Sequence, residues 1–250
     1  MAGNRNKTFK LIACEVFTRE ICLVVSQSPH TISVVFTPLA SHADSKKLRG
    51  LIQEHIDAAQ QGAFDAVLLG FGLCGNSVDG LLSRSVSLVI PRAHDCCTLF
   101  LGSIGAFLRY FENNLSAEWG SRGYVERGGS YLHDTETGRM IGYDREYGKL
   151  VVQYGEESAK YLWDTLHPKI DQPDLFYISV PETDDPQVER RFRDKAAADG
   201  KGTVALPGSM RLLRMLVNGE WDDREFLTVA PGHRVRAAYD METVVTAEKC

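Results

Sequence analysis

The stretch FDAVLLGFGLCGNSVDGLLSRSVSLVIPRAHDCCTLFL, Phe64 to Leu101, decides how the chain is read. It holds two apolar runs, Ala66 to Leu69 and Val86 to Ile90, short and β-branched enough to be buried strands. Each empties into a loop carrying cysteine. The first loop is Gly72-Leu73-Cys74-Gly75-Asn76, and the second runs from Pro91 through Arg92, Ala93, His94 and Asp95 to Cys96 and Cys97. In open α/β sheets, ligands sit beyond the carboxyl ends of the strands. Two cysteine loops leaving one sheet edge therefore predict a thiol-rich site.

Working outward, Phe9 to Ala13 reads as a strand running directly into Cys14 and Glu15, with a short helix over Val16 to Val25. Ile32 to Phe36 is a second strand. Ser45 to Gln61 places Leu48, Leu51, Ile52, Ile56 and Ala59 on one helical face, and Gly62 ends it. The order β-α-β-α-β predicts an α/β fold with a mostly parallel sheet flanked by helices, built as Rossmann-like halves. Ser77 to Ser83 reads as a short helix and Cys97 to Asn113 as one long helix. Beyond it, Leu115 to Leu150 is rich in Gly, Tyr, Arg and Glu without a period, an irregular insertion. Helices over Glu156 to Leu166, Pro186 to Asp199 and Gly208 to Asn218 then alternate with strands over Leu175 to Val180, Thr203 to Leu206 and Phe226 to Val229. The expected division is an N-terminal half over 9–114, the insertion over 115–150 and a C-terminal half over 151–250.

The 250 residues are 44% hydrophobic, enough for one large core, and a net charge of -5 argues against a nucleic-acid partner. No apolar run approaches the length of a membrane span and no signal peptide opens the chain, so the expected setting is cytoplasmic. There, six cysteines read as thiols, ligands or catalytic groups before disulfides.

Cys14, Cys74 and Cys96 each follow a strand. Thiolates are soft ligands, so these three point to zinc or a [4Fe–4S] cluster, with an open fourth position for a small-molecule substrate. His94, two residues before Cys96, is a candidate fourth ligand or proton carrier, and Cys97 a spare ligand or a core residue. Gly72, Gly75 and Asn76 are candidates for backbone approach to a bound group, although positive φ in a tight turn would explain Gly75 equally. Glu15 is a candidate general base, or a carboxylate favouring a helix start. Arg92 is a candidate anion binder. Cys22 reads as core, Cys250 as incidental, and His42 and His55 as structural. Trp119, Tyr131 and His133 would line a lid or pack within the insertion. A metal-free alternative has Cys74 as nucleophile and His94 as its base.

The set Ala13-Cys14, Gly72-Leu73-Cys74-Gly75 and His94 to Cys96 ending in Phe100-Leu101-Gly102 resembles the family labelled domain of unknown function 1638. The late segment Gly208 to Trp221, followed by Phe226 to Gly232, is similar to that family's C-terminal signature. The resemblance implies that Cys14, Cys74 and Cys96 occupy the family's three cysteine positions. It also suggests a corrinoid-linked setting, though the family name gives no reaction; there an enzyme would transfer a methyl group or handle a one-carbon substrate beside a corrinoid protein, and a non-catalytic accessory would partner a corrinoid methyltransferase system. Leu73 stands where the family commonly has an acidic residue, and Asp95 where it commonly has histidine.

Overall fold

The computed structural model describes residues 6–59, 64–112, 117–127, 147–166, 174–238, 240 and 243–250. Tyr131 and His133 lie outside them. The described chain divides into two compact units, the first of residues 1–115, 180–183 and 207–250 and the second of 116–179 and 184–206. The division thus differs from two successive halves: residues 207–250 join the N-terminal segment.

The first unit is built on a five-stranded sheet. Its strands are β1 (Thr8–Cys14), β2 (Thr31–Thr37), β3 (Ala66–Gly70), β4 (Leu88–Pro91) and β8 (Phe226–Val229), in spatial order β2-β1-β3-β4-β8. The first four are parallel, and β8 closes the edge antiparallel to β4. This bears out the mostly parallel sheet. From β1 the chain crosses to β2 on one side and then to β3 on the other. The strand order therefore reverses at β1, the place where α/β sheets open a crevice. Every residue of β3 and β4 is buried, as expected of strands covered on both faces. Burying each of Val67, Leu68 and Leu69 contributes roughly 1.5–3 kcal/mol.

Helix α1 (Thr18–Gln27) packs on α9 (Arg211–Asn218), which lies over β3 and β4, while α2 (Ser45–Ala59) covers β1 and β2. Buried Leu48, Ile52, Ile56 and Ala59 are the inward stripe that the spacing of α2 predicts. In α1, Ile21 and Val24 face inward and Cys22 outward, so Cys22 is exposed rather than core.

Two expected helices differ. The segment from Cys97 is not one helix but two, α3 (Cys96–Leu101) and α4 (Ile104–Phe111). Gly102 between them takes φ of 80°, with its N–H donated to Thr98 O, and Ser103 caps the second helix. Ser77 to Ser83 forms successive turns instead of a helix, then pairs with β9 (His233–Ala237) through Gly80 N–H to Val235 O and Ser83 N–H to His233 O, both 2.8 Å. Strands β9 and β10 (Val245–Lys249) form an antiparallel pair that the sequence reading did not anticipate.

The second unit holds a three-stranded sheet of β5 (Trp119–Ser121), β6 (Asp174–Ser179) and β7 (Gly202–Pro207), in that order. Its helices are α5 (Arg122–Glu126), α6 (Tyr147–Tyr154), α7 (Glu156–Leu166) and α8 (Pro186–Ala198). The described ends of the expected irregular insertion thus carry β5, α5 and the start of α6. Leu175, Tyr177, Phe192 and Ala196 form the core between β6 and α8. Among the described residues, no helix is long and apolar enough to cross a membrane.

Candidate metal-thiolate site

Each parallel strand of the large sheet delivers one side chain to the same end. Strand β1 ends on Cys14, fully buried. Strand β2 leads through Pro38 into a 3-10 turn, Leu39–Ala43, that carries His42. The residue after Cys14 holds that turn: Glu15 Oε1 accepts the Leu39 N–H at 2.6 Å. Strand β3 runs into the loop of Cys74, and β4 into the loop that starts α3 at Cys96.

The two cysteine loops are joined backbone to backbone. Leu73 N–H donates to Ala93 O at 2.8 Å and Cys74 N–H to His94 O at 3.0 Å. Only glycine permits this approach, since a Cβ on Gly72 would lie 2.6 Å from the Asp95 Cα. Cys74, Gly75 and Asn76 then take three consecutive left-handed conformations, with φ of 44°, 62° and 66°. Such a run is unfavourable for side chains with a Cβ and must be held by its surroundings. Ser77 supplies hydrogen bonds to the Cys74 carbonyl from both N–H and Oγ, and Arg49 Nη2 donates to Asn76 O at 2.7 Å. The outcome is a Cys74 Sγ to Cys96 Sγ separation of 3.9 Å.

Cys96 adjoins both Cys14 and Cys74. Hydrogen bonding to Cys96, together with the His42 imidazole, outweighs burial and holds the Cys14 thiol down at about 6 and that of Cys74 well below its usual value. Hydrogen bonding to both neighbours keeps Cys96 protonated and pushes it well above. Burial works against charge on His42, but hydrogen bonding and attraction to Cys14 and Cys74 raise it to about 10. Asp95, desolvated and facing the Cys74 charge, rises to about 7.

The donor set is suited to a soft cation. His42 Nε2 is buried without a hydrogen-bond partner that meets ordinary geometry, although the ring is attracted to Cys14 and Cys74. The 3.9 Å between Cys74 and Cys96 matches the edge of a tetrahedron with bonds of about 2.3 Å. Among the described residues, no group of three or more His, Cys, Asp or Glu side chains is placed to hold a metal ion.

His94, the histidine expected at the site, stacks its ring against Phe107 at 5.8 Å between centroids. The imidazole that joins the cysteines is His42, read from sequence as structural. His55 sits half-buried on α2. Cys97 is fully buried, with its thiol pushed up by burial and by Asp95. Arg92 gives Nε to Asp223 O and Nη1 to the carbonyls of Thr243 and Val245, so it ties the C-terminal pair of strands to the cysteine loop. Glu15 positions the His42 turn, and Gly72, Gly75 and Asn76 shape the Cys74 loop. Cys250 is exposed at the terminus.

A family model described as "Protein of unknown function (DUF1638)" matches residues 36–217, a span that takes in His42, Cys74 and Cys96. No curated protein and no solved structure matches the chain.

Proposed function

Because the chain belongs to this family, whose description assigns no reaction, we propose from its geometry that Cys14, His42, Cys74 and Cys96 hold one zinc ion in a site that acts on a small substrate. One observation supports the reading: the four parallel strands and their end loops carry Cys14, His42, Cys74 and Cys96 to one end of the sheet, where the strand order reverses, and the His42 Nε2 is buried without a hydrogen-bond partner. Sulfurs that bind different irons of a cluster stand farther apart than sulfurs sharing one ion. The close Cys74–Cys96 pair and the nitrogen donor therefore favour zinc over [4Fe–4S]. When bound, zinc supplies a Lewis acid that keeps coordinated sulfur deprotonated at neutral pH.

The chain's own residues divide the remaining work. Cys14 and Cys96 are buried and exclude water, whereas Cys74 sits on a part-exposed loop beside exposed Gly75 and Asn76, the side from which a substrate approaches. In the corrinoid-linked setting implied by the resemblance, that substrate carries a methyl or one-carbon group and the partner is a corrinoid protein. A second reading is a closed site in a non-catalytic accessory protein. Four donors that all stay bound would make it so, whereas the active reading requires one of them, Cys74 on its part-exposed loop, to give way to the substrate.

Metal analysis of protein purified without oxygen tests the first statement. About one zinc per chain is expected, and less than about 0.2 overturns it, since a tight thiolate site fills almost completely. His42→Ala is expected to lose most of that metal while His94→Ala retains it. Cobalt in place of zinc separates the two roles: a visible spectrum that changes on adding a small thiol shows an exchangeable position, and an unchanged one shows a closed accessory site.

A further inference from the structure

Cys74 and Cys96 are in sulfur contact at 3.9 Å and belong to loops locked together by two backbone hydrogen bonds. A disulfide needs an S–S distance of about 2.05 Å, so the sulfurs must approach by about 1.9 Å (3.9 less 2.05). Side-chain rotation can supply much of that, and Gly75, with nothing within 4 Å of a Cβ built on it, leaves room for the Cys74 loop to adjust. Cys14 also adjoins Cys96, but it is fully buried and fixed by strand pairing on both sides, through Cys14 to Thr37 and Ala13 to Gly70. Cys97 is buried in the core. Of Cys14, Cys74 and Cys96, Cys74 is the one whose residue is part-exposed.

We propose that Cys74 and Cys96 are a redox pair, which a peroxide converts to a disulfide in the metal-free protein. The Cys74 sulfur attacks one peroxide oxygen, and the O–O bond breaks. This gives a Cys74 sulfenic acid and a hydroxide that leaves as water after taking up a proton. The Cys96 sulfur then attacks the sulfenic sulfur. The S–O bond breaks, and the departing hydroxide takes the Cys96 proton to form a second water. Two thiols have lost two electrons to one peroxide, and a dithiol reductant reverses the bond by exchange. Since both sulfurs are also proposed ligands, the oxidised form holds no metal. The pair gives the site an off state set by oxidant and by metal supply.

The inference rests on sulfur proximity and not on the metal, and the experiment separates the two. Wild-type protein is stripped with a chelator under nitrogen and treated with one equivalent of hydrogen peroxide. It is then alkylated in denaturant and mapped by peptide mass. The expected result is two fewer alkylated thiols, a Cys74–Cys96 cross-linked peptide, and full recovery after dithiothreitol. Cys14→Ser should keep the cross-link, and Cys74→Ser and Cys96→Ser should lose it. All six thiols still alkylatable after treatment, a stable sulfinic acid at Cys74, or a cross-link from Cys14 would overturn the pair. Zinc-loaded protein should react at least about tenfold more slowly, because bound thiolates are shielded from oxidant. Equal rates with the cross-link present would sink the metal reading and leave the redox pair standing.

Discussion

At Gly72 a methyl group would meet the Asp95 backbone at 2.6–2.7 Å, and backbone cannot swing aside as a flexible side chain can. Gly72→Ala is therefore expected to cost about 2–3 kcal/mol, in the upper range for overpacking, and to part the loops that bring Cys74 to Cys96. Gly75 has open space around it but a φ of 62°. Gly75→Ala should cost about 1 kcal/mol, the left-handed penalty partly offset by a less free unfolded chain. Denaturant midpoints rank the two, and zinc retention should fall in the first variant only; equal effects would remove the argument for close approach. The cysteines themselves were legible because each follows an apolar run within a few residues. His42 was not, since it lies five residues past Thr37 in a 3-10 turn that looks like the approach to α2. The usable signal was topological: β2 is a parallel strand too, and its end loop faces the same way as the other three.

Among elements, Tyr177 of β6 packs in the apolar core against Phe192 of α8 and donates its hydroxyl, at 2.7 Å, to Asp184 in the turn before α8. Burial, the bond to Asp184 and the nearby carboxylates of Asp184 and Glu189 raise the phenol well above its ordinary value. The fold thus holds the neutral phenol. Its contribution is fully present below the unfolded tyrosine value near 10 and is lost as pH rises beyond it. Tyr177→Phe should cost about 1 kcal/mol at neutral pH, and it should lose less stability than wild type when melting is compared between about pH 8 and 11. Parallel slopes for the two proteins would show that the phenol titrates freely. The elements that sequence periodicity misjudged share a cause. Gly102 and Gly80 adopt left-handed conformations that end or prevent helix, and apolar spacing carries no record of φ. The turns from Ser77 to Ser83 are further fixed by β9, a partner some 150 residues away, which no local pattern reveals.

For the whole molecule, the expectation of two successive α/β halves assumed that neighbours in sequence are neighbours in space. The chain instead leaves the first unit after residue 115 and returns to it for its last 44 residues, 207–250. That return supports the site. Strand β8 pairs with β4 from Leu88–Val229 to Pro91–Phe226 and so backs the strand that presents Cys96. Arg92, immediately after β4, donates to three carbonyls in 223–245, and Asp79, five residues past Cys74, accepts the Ala237 N–H at 3.0 Å. Phe226, Val229, Val235 and Val245 are buried. A chain truncated after Val217, where the family match ends, leaves the β4 edge open and Arg92 without those acceptors. Hydrogen bonds from a charged group contribute about 1.5–3 kcal/mol each. Adding the four lost apolar side chains at roughly 1.5–3 kcal/mol apiece exceeds a typical net stability of about 5–15 kcal/mol at its lower end. The truncated chain is expected to lose cooperative thermal unfolding and to hold almost no zinc, even though Cys14, His42, Cys74 and Cys96 are all present in it. A cooperative melt with near-unit zinc would show that the four donors assemble without the returning segment, and that Arg92 and β8 only decorate a site that stands by itself.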